Sequence, residues 1–498
     1  MAARRERLLL LTAALVVLVA FVANIGFVLW TSSARLLDGV EGEVLFEASR
    51  MRDGMKLYVD PIAGAFDYGS VPSRYYVLYL PIWAWLLHFV PAADAPLIAR
   101  AMASGLWFGL LGVLVVGSDP NHRRIALWAA MFVGGTYTLT LFSASGRPDS
   151  LAIALSGIAA LRTTKRARVD PITGGLFALA ACVKPNVVGL GAGMFAVDVW
   201  QRRTKAWPGA LGAACVVGVV GGALEVTTHG AWIRHLLLGT AQPLDLHQWT
   251  DQVLGRGQMM GSLVTGALVC GWCARRTPGG ALALGALGAS TAWTLLCSAK
   301  IGSASNYWLE PCVGAVIVLG RSSISPVLER GKLAGACFVL VQSMWSGVAS
   351  TRSVVEWGHL IPERRRALDV ARAGLEPASL VMADEPGLEL ALDGRLLATP
   401  FQMTHLVWSG KYPVALWETD IDRIEVQGAV LMDDLLERPL SVVDVAHDRF
   451  PLEIRRLLRE RFTLRAVRGG FYVYRRKEPP MEPFSRVPSP IATDAQSK

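Results

Sequence analysis

Apolar segments recur along the first 350 residues at lengths that suit membrane-spanning helices. From Leu8 to Trp30 there is no charged residue, and about 20 apolar residues are enough to cross the hydrocarbon core as a helix. The apolar stretches cover residues 8–30, 97–117, 125–144, 149–162, 171–183, 185–200, 207–226, 257–274, 280–297, 307–320 and 333–350. The pattern predicts an all-α polytopic membrane domain of about 11 spans over residues 1–350.

One further apolar segment, Tyr75 to Val90, does not fit this set. It has only about 16 residues, is rich in Tyr and Trp, and is interrupted by Pro81, which suits a helix at the membrane interface. If it crossed, the basic clusters between the spans would lie outside, against the positive-inside rule. We therefore interpret it as juxtamembrane, in an outer loop of residues 31–96 with the amino terminus in the cytoplasm.

The composition changes after Ser350. Two short apolar runs, 379–383 and 426–434, read as buried strands, 451–462 reads as an amphipathic helix, and the segment around Gly469 and Gly470 reads as a hairpin. We expect a small extracytoplasmic α/β domain over residues 351–476. The Pro-rich polar tail, 477–498, is predicted to be disordered.

Composition narrows the function classes. A chain that is 52% hydrophobic and only 18% charged is too apolar for an ordinary soluble domain. The net charge of +9 comes with basic residues clustered between spans, which membrane orientation explains without a nucleic-acid partner. The lipid bilayer is the expected environment.

Glu41 and Glu43 follow the first span, at the start of a short amphipathic helix. Such acids can simply complement the unpaired N–H groups and dipole of a helix amino terminus. The alternative is that one of them, partly desolvated at the membrane surface, is a general base for an acceptor hydroxyl. The sequence leaves both interpretations open.

Other ionisable residues lie at breaks between apolar segments, where they face the same side of the membrane. Arg147 and Asp149 flank Pro148 in one turn, and Lys184 precedes Pro185 in another. Near the start of a later span, Asn306, Tyr307 and Glu310 are predicted to line the same outer cavity. Ionisable groups this close to hydrocarbon are site candidates, although Lys184 could also snorkel to the interface and Asp149 could be a helix-end charge.

Together these segments resemble the GT-C class of membrane glycosyltransferases, in the bacterial branch related to protein mannosyltransferases and the lipid A aminoarabinose transferase. The segments that carry the resemblance are EGEVLFEASRMRDGMKLYVDP, YYVLYLPIW, GRPDSLAIALSGIAAL, ACVKPN and NYWLEP. The family often has an adjacent Asp-Glu pair, whereas here Gly42 separates Glu41 from Glu43. Either glutamate is therefore a candidate for the base.

The resemblance implies transfer of a hexosyl or pentosyl group from a polyprenyl-phosphate donor to an extracytoplasmic hydroxyl of a glycan, lipid or protein. It places a catalytic acid at Glu41 or Glu43, and at Asp149 a second acid that helps to hold a donor phosphate or a metal. The positions of Arg147 and Lys184, close to the apolar core on two outer turns, predict that these cations bind the donor phosphate. Asp149 would repel that phosphate unless it orients Arg147 or shares a divalent metal (Mg or Mn) with the donor. The alternatives are a transporter or flippase for a lipid or glycan and a noncatalytic scaffold or sensor.

Overall fold

The computed structural model describes residues 39–321, 361–369 and 380–477, with short gaps, and scattered helical positions in 8–29 and 341–359. The predicted spans at 8–30 and 333–350 are therefore described only at scattered helical positions, and the predicted disordered tail beyond residue 477 lies outside the described residues.

Helices dominate the described part of the membrane domain. They are α1 Gly39–Arg52, α2 Ile82–Leu87, α3 Ala95–Gly117, α4 Arg123–Gly135, α5 Tyr137–Ala144, α6 Asp149–Arg166, α7 Pro171–Val183, α8 Gly189–Arg202, α9 Trp207–Thr228, α10 Ala231–Gly239, α11 Leu246–Thr250, α12 Gln258–Ala274, α13 Pro278–Cys297 and α14 Leu309–Leu319. A short antiparallel hairpin, β1 Ala65–Asp67 and β2 Val71–Ser73, lies between α1 and α2. Half of the candidate residues lie between these helices, namely Arg147, Lys184, Asn306 and Tyr307.

Some of these helices are long enough to span a membrane. Among the described residues, α3, the stretch Gly189–Thr228 that contains α8 and α9, and most of α13 are long and apolar enough to cross. Helices α4 and α5 meet at 75° and count as a fourth span if taken together. Helices α7 and α12 are apolar but shorter. The chain is thus a multi-pass helical protein, and the number of 11 spans stays a prediction.

The juxtamembrane segment is irregular up to Leu80 and then forms α2, a helix of six residues. Such a helix is about 9 Å long, far less than the roughly 30 Å of a hydrocarbon core. Trp83 of α2 is buried, and its indole N–H donates to the carbonyl of Gly146 at 3.0 Å. The segment therefore packs against the helical bundle and does not cross as a helix.

A small α/β unit follows the membrane domain. Its elements are β3 Val381–Ala383, α15 Pro386–Asp393, α16 Pro400–Trp408, α17 Val414–Arg423, β4 Gly428–Leu431, α18 Leu452–Arg461, β5 Phe462–Arg468 and β6 Phe471–Arg476. The sheet order is β3-β4-β6-β5, with β3 parallel to β4 and the other pairs antiparallel. The two predicted strands, the amphipathic helix and the hairpin all occur where the sequence placed them.

The α/β unit packs on the loop that joins α1 to α2 in the membrane domain. Tyr76 from that loop is part of the same buried cluster as Leu380 and Met382 of the α/β unit. Arg74 and Asp420 form a buried ion pair between the two parts. This packing brings α15 next to α1, the helix that carries the predicted acids.

Candidate active site

Two hydrogen bonds to the backbone of Gly146 hold the turn between α5 and α6 in place. The Gly146 N–H donates to Oε1 of Glu41 at 2.8 Å, while its carbonyl accepts the Trp83 indole. A Cβ at this position would lie 2.8 Å from the same Glu41 oxygen, so the close approach requires glycine. The turn that carries Arg147 and Asp149 is thus fixed to both α1 and α2.

Glu41 is a buried anchor. Arg100 of α3 binds it with both arms of the guanidinium, Nε to Oε1 at 2.7 Å and Nη2 to Oε2 at 2.6 Å. The carboxylate also accepts the Gly146 N–H, and its residue is fully buried. A bidentate pair of this kind fixes geometry, and here it joins α1, α3 and the α5–α6 turn.

Asp149, the first residue of α6, is the centre of a buried polar cluster. Its Oδ1 accepts hydrogen bonds from Lys184 Nζ and, at 3.0 Å, from Asn306 Nδ2. Its Oδ2 accepts from Arg147 Nε at 3.2 Å. Asp149 is 1% exposed and Lys184 2% exposed. One cluster therefore contains four residues predicted from sequence, although Asp149 and Asn306 lie 157 positions apart in the chain.

Local backbone breaks explain how the cluster forms. Pro148 precedes α6, so the Arg147 side chain leaves the chain at a turn. Lys184 has an extended backbone at the end of α7, because Pro185 cannot continue the helix. Asn306 lies in the 3₁₀ turn Ser305–Trp308 before α14. Each polar side chain emerges where regular helix stops.

Aromatic rings surround the two cations. Lys184 Nζ lies 5.5 Å from the centre of the Tyr79 ring, and the Arg147 guanidinium lies 5.0 Å from that of Phe142. Burial raises the pKa of the Tyr79 phenol. The positive charge of Arg147 lowers this pKa, and the negative charge of Asp149 raises it further. Tyr79 is therefore a neutral hydroxyl next to the cluster.

Sequence reasoning missed Tyr79, Arg100 and Trp83. Tyr79 lies in the juxtamembrane segment, where interfacial tyrosines are common, and its Tyr-rich composition was the available signal. Arg100 lies inside the third helix and has its partner 59 residues away, which leaves no local pattern.

Glu310 and Tyr307 lie at one side of the cluster. The Glu310 carboxylate accepts the N–H groups of Gly189 at 3.0 Å and Leu190 at 2.9 Å, so it caps the amino terminus of α8. Tyr307 accepts a hydrogen bond from Thr294 Oγ1 through its backbone carbonyl, and its side chain contacts Asn186. Their predicted role in binding substrate stays a prediction.

An apolar cavity of about 220 Å³ adjoins the cluster. Residues 77–80 of the juxtamembrane segment form one wall, and α7, α9 and α10 form the others. Tyr79, whose ring lies beneath Lys184 Nζ, lines the cavity. Pro185, which follows Lys184 in the chain, lines it as well. An apolar space therefore lies beside the buried cation.

The residues around Asp149 do not suit a divalent metal. Both of its oxygens already accept hydrogen bonds from cations or an amide, and Mg²⁺ and Mn²⁺ prefer several oxygen ligands. No group of three metal-ligating side chains occurs among the described residues. A metal at Asp149 stays a prediction, and we assign no step to one.

The whole chain is similar to solved structures. ArnT from Cupriavidus metallidurans in the apo state aligns with a TM-score of 0.55 over 95% of this chain and 98% of that one, at 13% identity. The same protein bound to undecaprenyl phosphate aligns with a TM-score of 0.53 over 93% and 97%, again at 13% identity. ArnT is a lipid A aminoarabinose transferase of the GT-C class.

The chain has a GT-C fold. No family model and no curated protein matches the sequence, so the likeness lies in the fold. Because the alignment extends over nearly all of both chains, the GT-C architecture includes the α/β unit as well as the helices. The GT-C fold expected from five short sequence segments is confirmed.

Proposed function

We propose that this protein is a membrane glycosyltransferase that moves a sugar from a polyprenyl-phosphate donor to an acceptor hydroxyl. The observation that carries the proposal is the buried Arg147–Asp149–Lys184 cluster beside an apolar cavity. A lipid phosphodiester has these two chemical parts, an anion and a hydrocarbon chain. In support, a protein of the same fold has been solved with undecaprenyl phosphate bound.

In this proposal the cations stabilise the leaving phosphate. Arg147 and Lys184 carry two positive charges, and Asp149 offsets one of them while holding both side chains in place. Glycosyl transfer separates an oxocarbenium-like sugar from the departing phosphate, and fixed cations lower the energy of that charge separation. The apolar cavity takes the isoprene units nearest the phosphate.

We assign the general base to Glu43 in preference to Glu41. The bidentate bond to Arg100 and the Gly146 N–H give Glu41 a structural task. Glu43 lies two positions further along the same helix and is 9% exposed. It would take the proton from the acceptor hydroxyl as the sugar is transferred with inversion.

The test of this assignment compares Glu43→Gln with Glu41→Gln. Glu43→Gln should lower turnover by roughly 100-fold or more with the unfolding temperature unchanged. Glu41→Gln should instead lower the unfolding temperature. The assay measures polyprenyl phosphate released from a panel of lipid-linked sugars by purified protein in nanodiscs.

Parental turnover in Glu43→Gln would remove the general-base assignment. Movement of lipid-linked sugar across the bilayer without release of polyprenyl phosphate would favour the flippase instead. Comparing lipid-linked and surface glycans of a deletion strain with those of its parent would then identify the sugar and the acceptor.

We place the reaction on the extracytoplasmic face of the inner membrane, with the amino terminus inside and the α/β unit outside. The basis is the predicted cytoplasmic location of the basic loops. Reporter fusions at residue 120 and after residue 480 should report inside and outside, respectively. An outside signal at residue 120 would overturn this orientation.

A further inference from the structure

The acid-bearing helix α1 touches the α/β unit through its backbone. A Cβ on Gly42 would lie 2.4 Å from both the Cα and the N of Gly387 and 2.8 Å from the carbonyl carbon of Pro386. These are main-chain atoms of α15, which cannot rotate away as a side chain can. Gly42 lies between Glu41 and Glu43, so the contact falls at the acids themselves.

Side chains extend the same contact. Leu390 of α15 packs against the buried cluster that contains Val44, Leu45 and Ala48 of α1, and also against the cluster that contains Phe46. On its other side α1 packs against α2 and α3 through Trp83, Leu87 and Ala99. Helix α1 is therefore enclosed between the membrane helices and the α/β unit.

The two sides hold α1 at different points. The Arg100 pair and the Gly146 N–H hold Glu41 toward the membrane helices. The backbone contact of Gly42 with α15 limits movement of α1 on the opposite side, at the residue next to Glu43. A displacement of about 1 Å can cost on the order of 100-fold in rate.

We propose that the α/β unit is a positioning element for the general base, acting through the Gly42–Gly387 contact and Leu390. This inference rests on the proposed function, because it assigns the contact to the placement of Glu43. The unit thus contributes to turnover without touching the substrate. The donor-phosphate residues lie in the turn before α6, at the start of α6 and just after α7. Glu41 and Trp83 hold that turn, so donor binding should be unchanged in variants that leave the Glu41 bonds in place.

The first test is Gly42→Ala against Gly39→Ala. At Gly39 the added Cβ meets Oε2 of Glu385 at 2.7 Å. This carboxylate pairs with Arg449, but it is the end of a side chain and can rotate, whereas at Gly42 the added Cβ meets backbone. Gly42→Ala should lower kcat about 10- to 100-fold with donor KM unchanged, and Gly39→Ala should keep parental kcat. Equal kcat in both variants and the parent would overturn the proposal.

The second test covers the case in which Gly42→Ala does not fold. Leu390→Ala and Leu392→Ala truncate the same residue type on the same helix, but Leu392 packs in the core of the α/β unit with Phe471 and Val430. Both should lower the unfolding temperature, and only Leu390→Ala should lower kcat at constant donor KM, by about 10-fold.

Equal kcat for Leu390→Ala and Leu392→Ala would leave the contact a purely structural one and overturn the inference. The outcome is separate from that of the proposed function. If Glu43→Gln is inactive while the Gly42 and Leu390 variants turn over normally, the base stands and the positioning role falls.

Discussion

The two ends of helix α6 each hold one aspartate bound by two cations, and they differ in burial. At the amino end Asp149 binds Arg147 and Lys184 with almost no exposure. At the carboxyl end Asp170 binds Arg162 at 3.0 Å and Arg166 at 2.6 Å, and the Arg166 side chain is 47% exposed. The same charges therefore meet in two different dielectric environments.

The difference in burial distinguishes a candidate binding site at Asp149 from a structural helix cap at Asp170. Asp170 begins α7 with a capping box, accepting the Thr173 N–H at 2.9 Å while Thr173 Oγ1 accepts the Asp170 N–H, so a local structural task explains it. Asp149 caps no helix through its side chain. Exposed ion pairs contribute little to stability, whereas buried charges are costly and persist where function needs them.

The largest effect is expected from Lys184→Ala. Loss of one cation from the buried cluster should weaken donor binding by about 2 to 4 kcal/mol, on the order of 30- to 700-fold in Kd. Titration of the purified protein with a lipid-linked sugar measures this. The control is Lys165→Ala, because Lys165 is an exposed lysine of α6. Unchanged donor affinity in Lys184→Ala would mean that Lys184 only snorkels to the interface.

Asp149→Asn should change turnover in preference to binding. The amide keeps the size of the carboxylate but no longer offsets the cations, so the product phosphate should be held at least as tightly while the orientation of Arg147 is lost. We expect kcat to fall about 10-fold without weaker donor binding. Weaker donor binding would mean that the aspartate itself serves the donor.

Asp170→Ala should affect stability alone. Loss of the capping box should lower the free energy of unfolding by about 1 kcal/mol, measurable as a lower unfolding temperature in detergent. Donor affinity and kcat should match the parent. A loss of turnover at parental stability would show that the two ends of α6 are functionally coupled.

The smallest effect is expected from Arg166→Ala. This arginine is half exposed and forms an i,i+4 ion pair, and such pairs contribute at most about 0.5 kcal/mol. The unfolding temperature should change little, and less still in high salt. A loss comparable to that of Asp170→Ala would mean that exposure does not distinguish the two ends.

Much of the cluster could be predicted because its members share a local signal. Arg147, Lys184 and Asn306 are each polar residues at a break between apolar runs, two of them next to a proline. The α/β elements were predictable for a similar reason, since short apolar runs and a Gly pair mark strands and a turn.

The roles that the sequence could not decide are those of residues whose partners lie far away in the chain. Glu41 and Glu43 are equivalent in the local pattern, and only Arg100 and Gly146 separate them. Glu310 binds backbone N–H groups about 120 positions earlier in the chain, and backbone donors have no sequence signature. Half-length helices such as α7 also blur the span count, because apolar runs do not reveal where a helix bends.

The modest size of the apolar cavity bears on which lipids compete for the protein. A space of about 220 Å³ holds only the first part of a long polyprenyl chain, so the remainder stays among the bilayer lipids and keeps its conformational freedom. If the proposed donor binds there, binding costs little chain entropy, and this cavity does not distinguish tail lengths. Donors with short and long tails should exchange for one another at nearly equal concentrations, and selectivity should reside in the sugar and the phosphate.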